Sequence, residues 1–265
     1  MPSAEHADRL DQAPRDRVLL ITGASSGIGA ATARMAAQGS WRVVLAARSE
    51  ERLEALAAEL GGSGRALSVR CDVTDWDAQQ RLAGAALEAF GRIDAVFANA
   101  GFGGQRGFLA DTPEHWREMV LTNIYGAALT LRATIPALRE SRGHLLLTSS
   151  VAGRRVLPGS LYSCTKHAVT AMGEAARQEL NGSGVRVTLI EPGMVDTPFF
   201  DNPPADAGRR HRAGGALRPV AAAPRGRQRD SRAAGRAAVS ARRASVLSRR
   251  LTRARRSPRA RAGPP

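Results

Sequence analysis

The stretch "VLLITGASSGIG", residues 18–29, joins a short apolar run to a glycine-rich turn. An unbroken run of Val, Leu and Ile is typical of a strand that is buried on both faces, as in a parallel sheet. Gly23, Gly27 and Gly29 follow with the spacing GxxxGxG, where a helix is predicted to begin. Such a turn lets the backbone approach a phosphate, whose charge the N–H groups of the helix N-terminus then bind. The stretch therefore predicts the first strand, turn and helix of a nucleotide-binding fold.

The same alternation of strand and helix continues along the chain. Six apolar runs predict strands, at residues 17–22, 42–47, 66–71, 93–99, 144–150 and 185–192. The clearest helical periodicity lies between them, at residues 51–60, 76–90 and 113–140. Because this alternation indicates βαβ units, we expect an α/β fold with a doubly wound, Rossmann-like parallel sheet of about six strands. Ligands bind such sheets beyond the carboxyl ends of the strands.

The excess positive charge lies near the C-terminus. The 265 residues have a formal net charge of +15, yet residues 1–200 hold 21 basic and 21 acidic side chains. Residues 201–265 hold 18 arginines, three aspartates and few large apolar side chains, so this segment buries too little apolar area to offset the entropy lost on ordering. We expect an N-terminal extension (1–16), a catalytic α/β domain (17–200) and a disordered basic tail (201–265).

Composition and pattern also exclude some classes of protein. Cys71 and Cys164 form no CxxC motif, so we expect two buried apolar side chains and neither a disulfide framework nor a metal site. No run reaches the roughly 18 apolar residues of a membrane span. Residues 1–17 lack the apolar segment of a signal peptide. We therefore expect a cytoplasmic protein without metal.

The end of the second strand bears on the choice of cofactor. A carboxylate at this point binds the adenosine ribose of NAD, whereas an arginine suits the 2'-phosphate of NADP. The sequence "LAARSE" has Ala46 and Ala47 there, followed by Arg48. We expect NADP(H) to be preferred over NAD(H); the alternative is that Arg48 is a solvated loop charge.

Two polar residues follow later strands and each has two interpretations. Asp72 either accepts a hydrogen bond from an adenine amino group or caps the next helix, a role that suits Thr74 and Asp75 better. Asn99 either contributes to the ligand site or bridges neighbouring strands. Both residues belong to the cofactor-binding set that we expect.

Lys166 is the only lysine in a chain that contains 38 arginines. Lysine is a compact charge on a thin stem and arginine a broad planar one, so a crowded site favours lysine. Tyr162 precedes Lys166 by four residues on a predicted helix, which places both side chains on one face. A nearby ammonium stabilises the phenolate and lowers the tyrosine pKa from ~10. We expect Tyr162 to act as a general acid or base.

Taken in order, these motifs resemble those of the short-chain dehydrogenase/reductase family. They are "TGASSGIG" (22–29), "ANAG" (98–101), "TNIYG" (122–126), "TSSVAG" (148–153), "YSCTK" (162–166) and "EPGMVDTPF" (191–199). The resemblance covers roughly residues 17–200. It implies an NADP-dependent oxidoreductase that transfers a hydride between nicotinamide and a small carbonyl or alcohol substrate.

The resemblance also implies a catalytic set of Asn123, Ser150, Tyr162 and Lys166. Ser150 would hydrogen-bond the substrate oxygen, Lys166 the nicotinamide ribose, and Asn123 a water that relays protons; alternatively Asn123 is an interior polar residue. The family's serine stands 13 residues before the tyrosine, as Ser149 does here, but we prefer Ser150 and infer a loop shortened by one residue.

The remaining site residues follow from the same resemblance. Residues expected to bind the cofactor are Gly23, Ser25, Ser26, Gly27, Ile28, Gly29, Arg48, Asp72, Val73, Asn99, Ala100, Gly101, Tyr162, Lys166, Pro192, Gly193 and Thr197. Apolar residues expected near the substrate pocket are Val151, Leu157, Met194, Phe199 and Phe200; the alternative is that any of them is an ordinary core residue.

The resemblance ends near residue 200. Relatives continue with a helical segment that covers the substrate and with a seventh strand, and they usually form homo-oligomers. Because the arginine-rich tail stands there instead, we expect no seventh strand, an unprotected sheet edge and a lost subunit contact. We hypothesise that a displaced reading frame produced the tail. The alternative function is a nucleotide-binding protein with little turnover, whose tail binds nucleic acid or acidic surfaces.

Overall fold

The protein is described here by a computed structural model that covers residues 16–195. The six strands of this range are β1 (Val18–Thr22), β2 (Arg42–Ala47), β3 (Ala66–Arg70), β4 (Ala95–Ala98), β5 (His144–Thr148) and β6 (Arg186–Ile190). The α-helices are α1 (Gly27–Gln38), α2 (Glu50–Glu59), α3 (Trp76–Phe90), α4 (Pro113–Val120), α5 (Ala127–Ser141) and α6 (Leu161–Glu179). A π-helical segment (Leu121–Gly126) joins α4 to α5, and a 3₁₀ turn (Val151–Gly153) follows β5.

The strands form one parallel sheet in the order β3-β2-β1-β4-β5-β6. The winding of the chain reverses between β1, which pairs with β2 on one side, and β4, which pairs with β1 on the other. In such sheets the reversal opens a crevice beyond the carboxyl ends of the central strands. The predicted α/β fold class and doubly wound sheet are confirmed.

The core lies on both faces of the sheet because successive strand residues point to opposite sides. In β1, Leu20 faces a cluster that includes Leu82 of α3 and Leu138 of α5. Its neighbour Ile21 faces the other cluster, which includes Leu53 of α2. All five residues of β1 are buried, which explains why the strand appears in the sequence as a continuous apolar run.

The start of α3 is set by a side-chain cap. Asp75 caps α3 by accepting hydrogen bonds from the N–H groups of Asp77 and Ala78 at 2.9 and 3.3 Å. Thr74 makes no cap, so the prediction for that residue is wrong. Its hydroxyl and N–H instead donate to Asp72 Oδ1 at 2.8 and 2.9 Å, a local turn that competes with capping.

The long helical stretch predicted over residues 113–140 is interrupted by the π-helical segment, which places Asn123 in the interior at 1% exposure. Gly126 ends this segment where α5 begins. A Cβ atom there would lie 2.6 Å from Val73 Cγ2, so only glycine permits this approach. The widened turn therefore packs directly against the loop that follows β3.

Several other predictions concern the two cysteines, membrane spans and metal sites. Cys71 is buried, which raises its pKa to about 11, but Cys164 is exposed on the outer face of α6, so the prediction of a buried side chain is wrong for Cys164. No helix within residues 16–195 is long and apolar enough to cross a bilayer. The same range contains no cluster of three or more His, Cys, Asp or Glu side chains suited to a metal ion.

Some predictions lie outside the described residues. They are the disordered tail, the missing seventh strand, nearly all of the N-terminal extension, and the side chains of Thr197, Phe199 and Phe200. The alternative function, which depends on the tail, lies there as well.

Candidate active site

A cavity of about 620 Å³ opens beyond the carboxyl ends of the central strands. This volume is typical of a ligand site. The expected residues that line it are Gly23, Ser25, Ser26, Gly27, Ile28, Arg48, Asp72, Val73, Asn99, Ala100, Gly101, Ser150, Tyr162, Pro192 and Gly193. Three further expected residues, Gly29, Asn123 and Lys166, do not line it. Of these, Asn123 and Lys166 are buried and exposed by only 1% and 2%.

The glycine turn brings the start of α1 to the cavity. Gly23 has φ +68°, and a Cβ atom there would lie 2.8 Å from Ala100 Cα, so glycine is required both for the turn and for the close approach. Ser26, the N-cap residue of α1, makes no side-chain capping bond, and the first turn holds no acidic residue. Because the first N–H groups of a helix have no partners within it, they remain available to an anion.

The Asn99 side chain, at the end of β4, forms hydrogen bonds to the ends of the two neighbouring strands. Its Nδ2 donates to the carbonyl oxygens of Thr22 and Gly23 at 3.1 and 3.3 Å, and its Oδ1 accepts from Thr148 Oγ1 at 3.1 Å. The side chain therefore links the ends of β1 and β5 across β4. This geometry supports the strand-bridging interpretation and also fixes the floor of the cavity.

Two arginines lie at the end of the cavity that follows β2. Arg48 and Arg52 are exposed and line it, and no acidic side chain within residues 16–195 pairs with either. Asp72 is the only carboxylate among the described lining residues, and it accepts a hydrogen bond from the Thr74 hydroxyl. Sequence reasoning missed Arg52. The signal was present, because Arg52 follows Arg48 by four residues in the first turn of α2, close to the same strand end.

Ser150 and Tyr162 are hydrogen-bonded to each other at the other end of the cavity. The Ser150 hydroxyl also accepts from the N–H of Ala152 at 3.1 Å. Ser149 is bound elsewhere: its hydroxyl lies 2.7 Å from Thr170 Oγ1 and donates to the carbonyl of Lys166 at 3.1 Å. The geometry thus places Ser150 beside the phenol and holds the Ser149 hydroxyl against α6.

Lys166 lies behind the phenol. Its Nζ donates to the carbonyl of Thr148 at 2.7 Å and lies 5.7 Å from the centre of the Tyr162 ring. Burial lowers the pKa of Lys166 to about 8, since charge is unfavourable in an apolar interior. Burial raises the pKa of Tyr162, although the hydrogen bond with Ser150 opposes the rise. The predicted lowering of the tyrosine pKa is therefore wrong for the protein's own residues, because the cost of burying a phenolate exceeds the other effects.

Asn123 holds the loop after β4 against α6. Its Oδ1 accepts from the N–H of Phe102 at 3.0 Å, and its Nδ2 donates to the Phe102 carbonyl at 2.9 Å and to Thr165 Oγ1 at 3.1 Å. A Cβ atom at Gly101 would lie 2.9 Å from Asn123 Oδ1 and 3.6 Å from Lys166 Nζ. The space around Lys166 is therefore crowded, as was expected from the use of a lysine here in a chain that otherwise uses arginine. The amide itself is fully used in holding the loop.

The sheet, the glycine turn and the cavity define a nucleotide-binding α/β protein of the Rossmann type. Residues 17–207 match the family model described as short chain dehydrogenase. The chain thus belongs to the short-chain dehydrogenase/reductase family of oxidoreductases, and the predicted family resemblance is confirmed.

Individual relatives agree with this assignment. An uncharacterised oxidoreductase of Staphylococcus saprophyticus is 38% identical over 192 residues, which cover 71% of this chain and 78% of that protein. An alcohol dehydrogenase from the archaeon Thermococcus sibiricus, solved with 5-hydroxy-NADP, is similar with a TM-score of 0.66 and 35% identity over 70% of this chain and 79% of its own. A family member from Burkholderia phymatum, solved with NAD, has a TM-score of 0.68 and 31% identity over 78% and 75% of the two chains.

Proposed function

We propose that the protein is a dehydrogenase or reductase that prefers NADP(H) and transfers a hydride between nicotinamide and a small carbonyl or alcohol substrate. One observation carries the proposal. A single cavity has at one end a glycine turn and two arginines that no acidic side chain within residues 16–195 pairs with, and at the other end hydrogen-bonded Ser150 and Tyr162 with Lys166 behind them.

The residues around the cavity fit a dinucleotide. The free N–H groups at the start of α1 suit its pyrophosphate, because no acidic side chain competes for them in the first turn. Lys166 and the segment Pro192–Gly193 suit the nicotinamide ribose and ring, and Thr197 would donate to the carboxamide. The bound cofactor supplies or accepts the hydride at nicotinamide C4.

Arg48 and Arg52 support the preference for NADP(H). Both residues line the cavity just after β2, and the end of this strand is where a ribose 2'-phosphate is recognised in such folds, which supports the proposal. The strand β2 ends in Ala46 and Ala47, so no carboxylate stands at its last two positions to bind a free 2'-hydroxyl. Two unpaired cations bind a phosphate dianion far better than a neutral hydroxyl.

Tyr162 is placed to exchange a proton with the substrate oxygen, and Ser150 to donate a second hydrogen bond to that oxygen. Because burial raises its pKa, Tyr162 is protonated at neutral pH and so is ready to donate in the direction of carbonyl reduction. Lys166 positions the phenol and the ribose. Asn123 holds the loop that shapes the space around Lys166. Because its amide is occupied there, a water that relays protons would have to be held by the Asn123 backbone.

Cofactor titration tests the proposal. We expect kcat/KM for NADPH to exceed that for NADH with any carbonyl compound that is reduced. Replacing Arg48 or Arg52 with alanine should lower kcat/KM for NADPH about 10-fold or more and leave the NADH value nearly unchanged, because one charge-assisted bond to phosphate is lost. Arg155→Ala is the matched control, since Arg155 is exposed and does not line the cavity. Tighter binding of NADH than of NADPH would contradict the preference.

A further inference from the structure

Among the described residues, the substrate end of the cavity has a positively charged side chain, Arg106, that the proposed reaction does not use. Arg106, in the loop between β4 and α4, lines the cavity and is exposed. No acidic side chain within residues 16–195 pairs with Arg106. Arg48 and Arg52, the other cations among the described lining residues, lie at the opposite end, beside β2.

We propose that Arg106 binds a carboxylate on the substrate, so that the enzyme acts on oxo acids or hydroxy acids. This inference rests on the proposed function and narrows its substrate class. A guanidinium group binds a carboxylate through two parallel N–H···O hydrogen bonds, which gives both affinity and orientation. Because substrate bound in this way is held at a second point, its carbonyl can be presented to Tyr162 and Ser150 in one orientation.

The backbone on one side of Arg106 is fixed against the start of α6. The N–H of Gly107 donates to the carbonyl of Gly159 at 2.8 Å. A Cβ atom at Gly159 would lie 2.8 Å from Gly107 Cα, so the two segments are in direct backbone contact. Gly159 precedes Tyr162 by three residues. The loop that carries Arg106 therefore forms the rim of the cavity next to the proposed catalytic tyrosine.

The backbone on the other side is fixed by a buried acid and histidine. The N–H of Gln105 donates to Asp111 Oδ2 at 3.2 Å. Asp111 in turn lies 2.8 Å from His115 Nδ1, and the side chains of Asp111 and His115 are exposed by only 1% and 4%. Arg106 thus stands between two neighbours whose backbone is anchored, so the fold sets the point on the rim from which its side chain extends.

The surroundings of Arg106 favour a substrate with an apolar body and one negative charge. The other lining residues of this end include Phe102, Val151, Leu157 and Met194. Asp72 is the only carboxylate among the described residues that line the cavity, and it follows β3, at the nucleotide end. A cation that no described acidic side chain neutralises attracts an anion to its end of the cavity and disfavours a second cation there.

Paired substrates test the inference. The full chain, the Arg106→Ala variant and the Arg155→Ala control would be assayed with NADPH, 2-, 3- and 4-oxo acids, and the methyl esters of those acids. We expect the wild type to prefer an acid over its ester. In Arg106→Ala, kcat/KM for the acid should fall about 10- to 100-fold, mainly through KM, because a charge-assisted pair is lost. The decrease in kcat/KM for the methyl ester should be much smaller.

A binding measurement separates this inference from the proposed reaction. Calorimetric titration with hexanoate and with hexanamide needs no turnover. We expect hexanoate to bind the wild type and the control at least about 10-fold more tightly than Arg106→Ala. If hexanoate binding depends on Arg106 but no carbonyl is reduced, the carboxylate site stands and the proposed reaction is wrong.

Two other outcomes overturn the inference while the proposed reaction survives. One is that wild type and Arg106→Ala reduce the acids equally well and bind hexanoate equally. The other is that Arg106→Ala loses ester and acid turnover to the same extent, which would show that Arg106 only supports the loop.

Discussion

Replacing Lys166 with methionine should separate what the buried charge does for stability from what it does for activity. Lys166 is 2% exposed, and its Nζ donates a hydrogen bond to the carbonyl of Thr148 at 2.7 Å. Methionine has a similar unbranched shape and fills the same space without charge. Turnover should be lost at every pH, because the group that positions the phenol and the ribose is gone.

The effect on stability depends on pH in a defined direction. Burial lowers the pKa of Lys166 from 10.5 to about 8 in the folded state. Below pH 8 both folded and unfolded chains carry this proton, so the wild type bears the full cost of burying the charge, about 3 kcal/mol at ~1.4 kcal/mol per pKa unit. Between pH 8 and 10.5 the folded state releases the proton first, so this cost is relieved as pH rises.

Urea unfolding of both proteins at pH 7 and near pH 10 measures the change. The free energy of unfolding of the wild type should rise relative to that of Lys166→Met by about 2 to 3 kcal/mol between the two values. Any constant penalty from the unpaired Thr148 carbonyl cancels in this comparison. Arg155→Met is the control and should show the wild-type pH dependence. Equal pH dependence in wild type and Lys166→Met would refute the reasoning.

Three further predictions follow from the packing of the site. Lys166→Arg should lose nearly all turnover, because a guanidinium does not fit the space around the amine; a steady-state rate near that of the wild type would contradict this. Ser150→Ala should lower kcat about 100-fold. Ser149→Ala should instead mainly lower the free energy of unfolding, by about 1 to 3 kcal/mol. If kinetics and urea unfolding gave the reverse pattern, Ser149 and not Ser150 would be the catalytic serine. Asn123→Ala should cost at least about 1 to 3 kcal/mol of stability, because it leaves the buried N–H and C=O groups of Phe102 without partners; an unchanged unfolding midpoint would count against that role.

The sequence predicted the fold well because the sheet is parallel. Strands buried on both faces need continuous apolar runs, so β2 was placed at residues 42–47, where the structure has it. The π-helical segment Leu121–Gly126 was missed, since one widened turn hardly changes the periodicity of a long helix. The Thr74 cap was mispredicted because Asp72 and Asp75 compete for the same short loop.

For the site, the sequence predicted the residues that lie close together along the chain. It missed the features that depend on contacts between distant segments. Tyr162 and Lys166 share a helix, so their spacing alone places them together. Arg106 reaches the cavity only because Gly107 is bonded to Gly159, a contact between distant segments that no local pattern reveals. The direction of the Tyr162 pKa was mispredicted for a similar reason, because burial of the phenol is a property of the folded chain.

The central claim is that this chain moves a hydride while Tyr162 moves the proton. Reduction of an oxo compound with NADPH that carries deuterium at both hydrogen positions of nicotinamide C4 tests it directly, with the product analysed by mass spectrometry. The wild type should place deuterium on the former carbonyl carbon, and Tyr162→Phe should form at least about 100-fold less product while still binding NADPH. An unlabelled product, or equal product from Tyr162→Phe, would contradict the account.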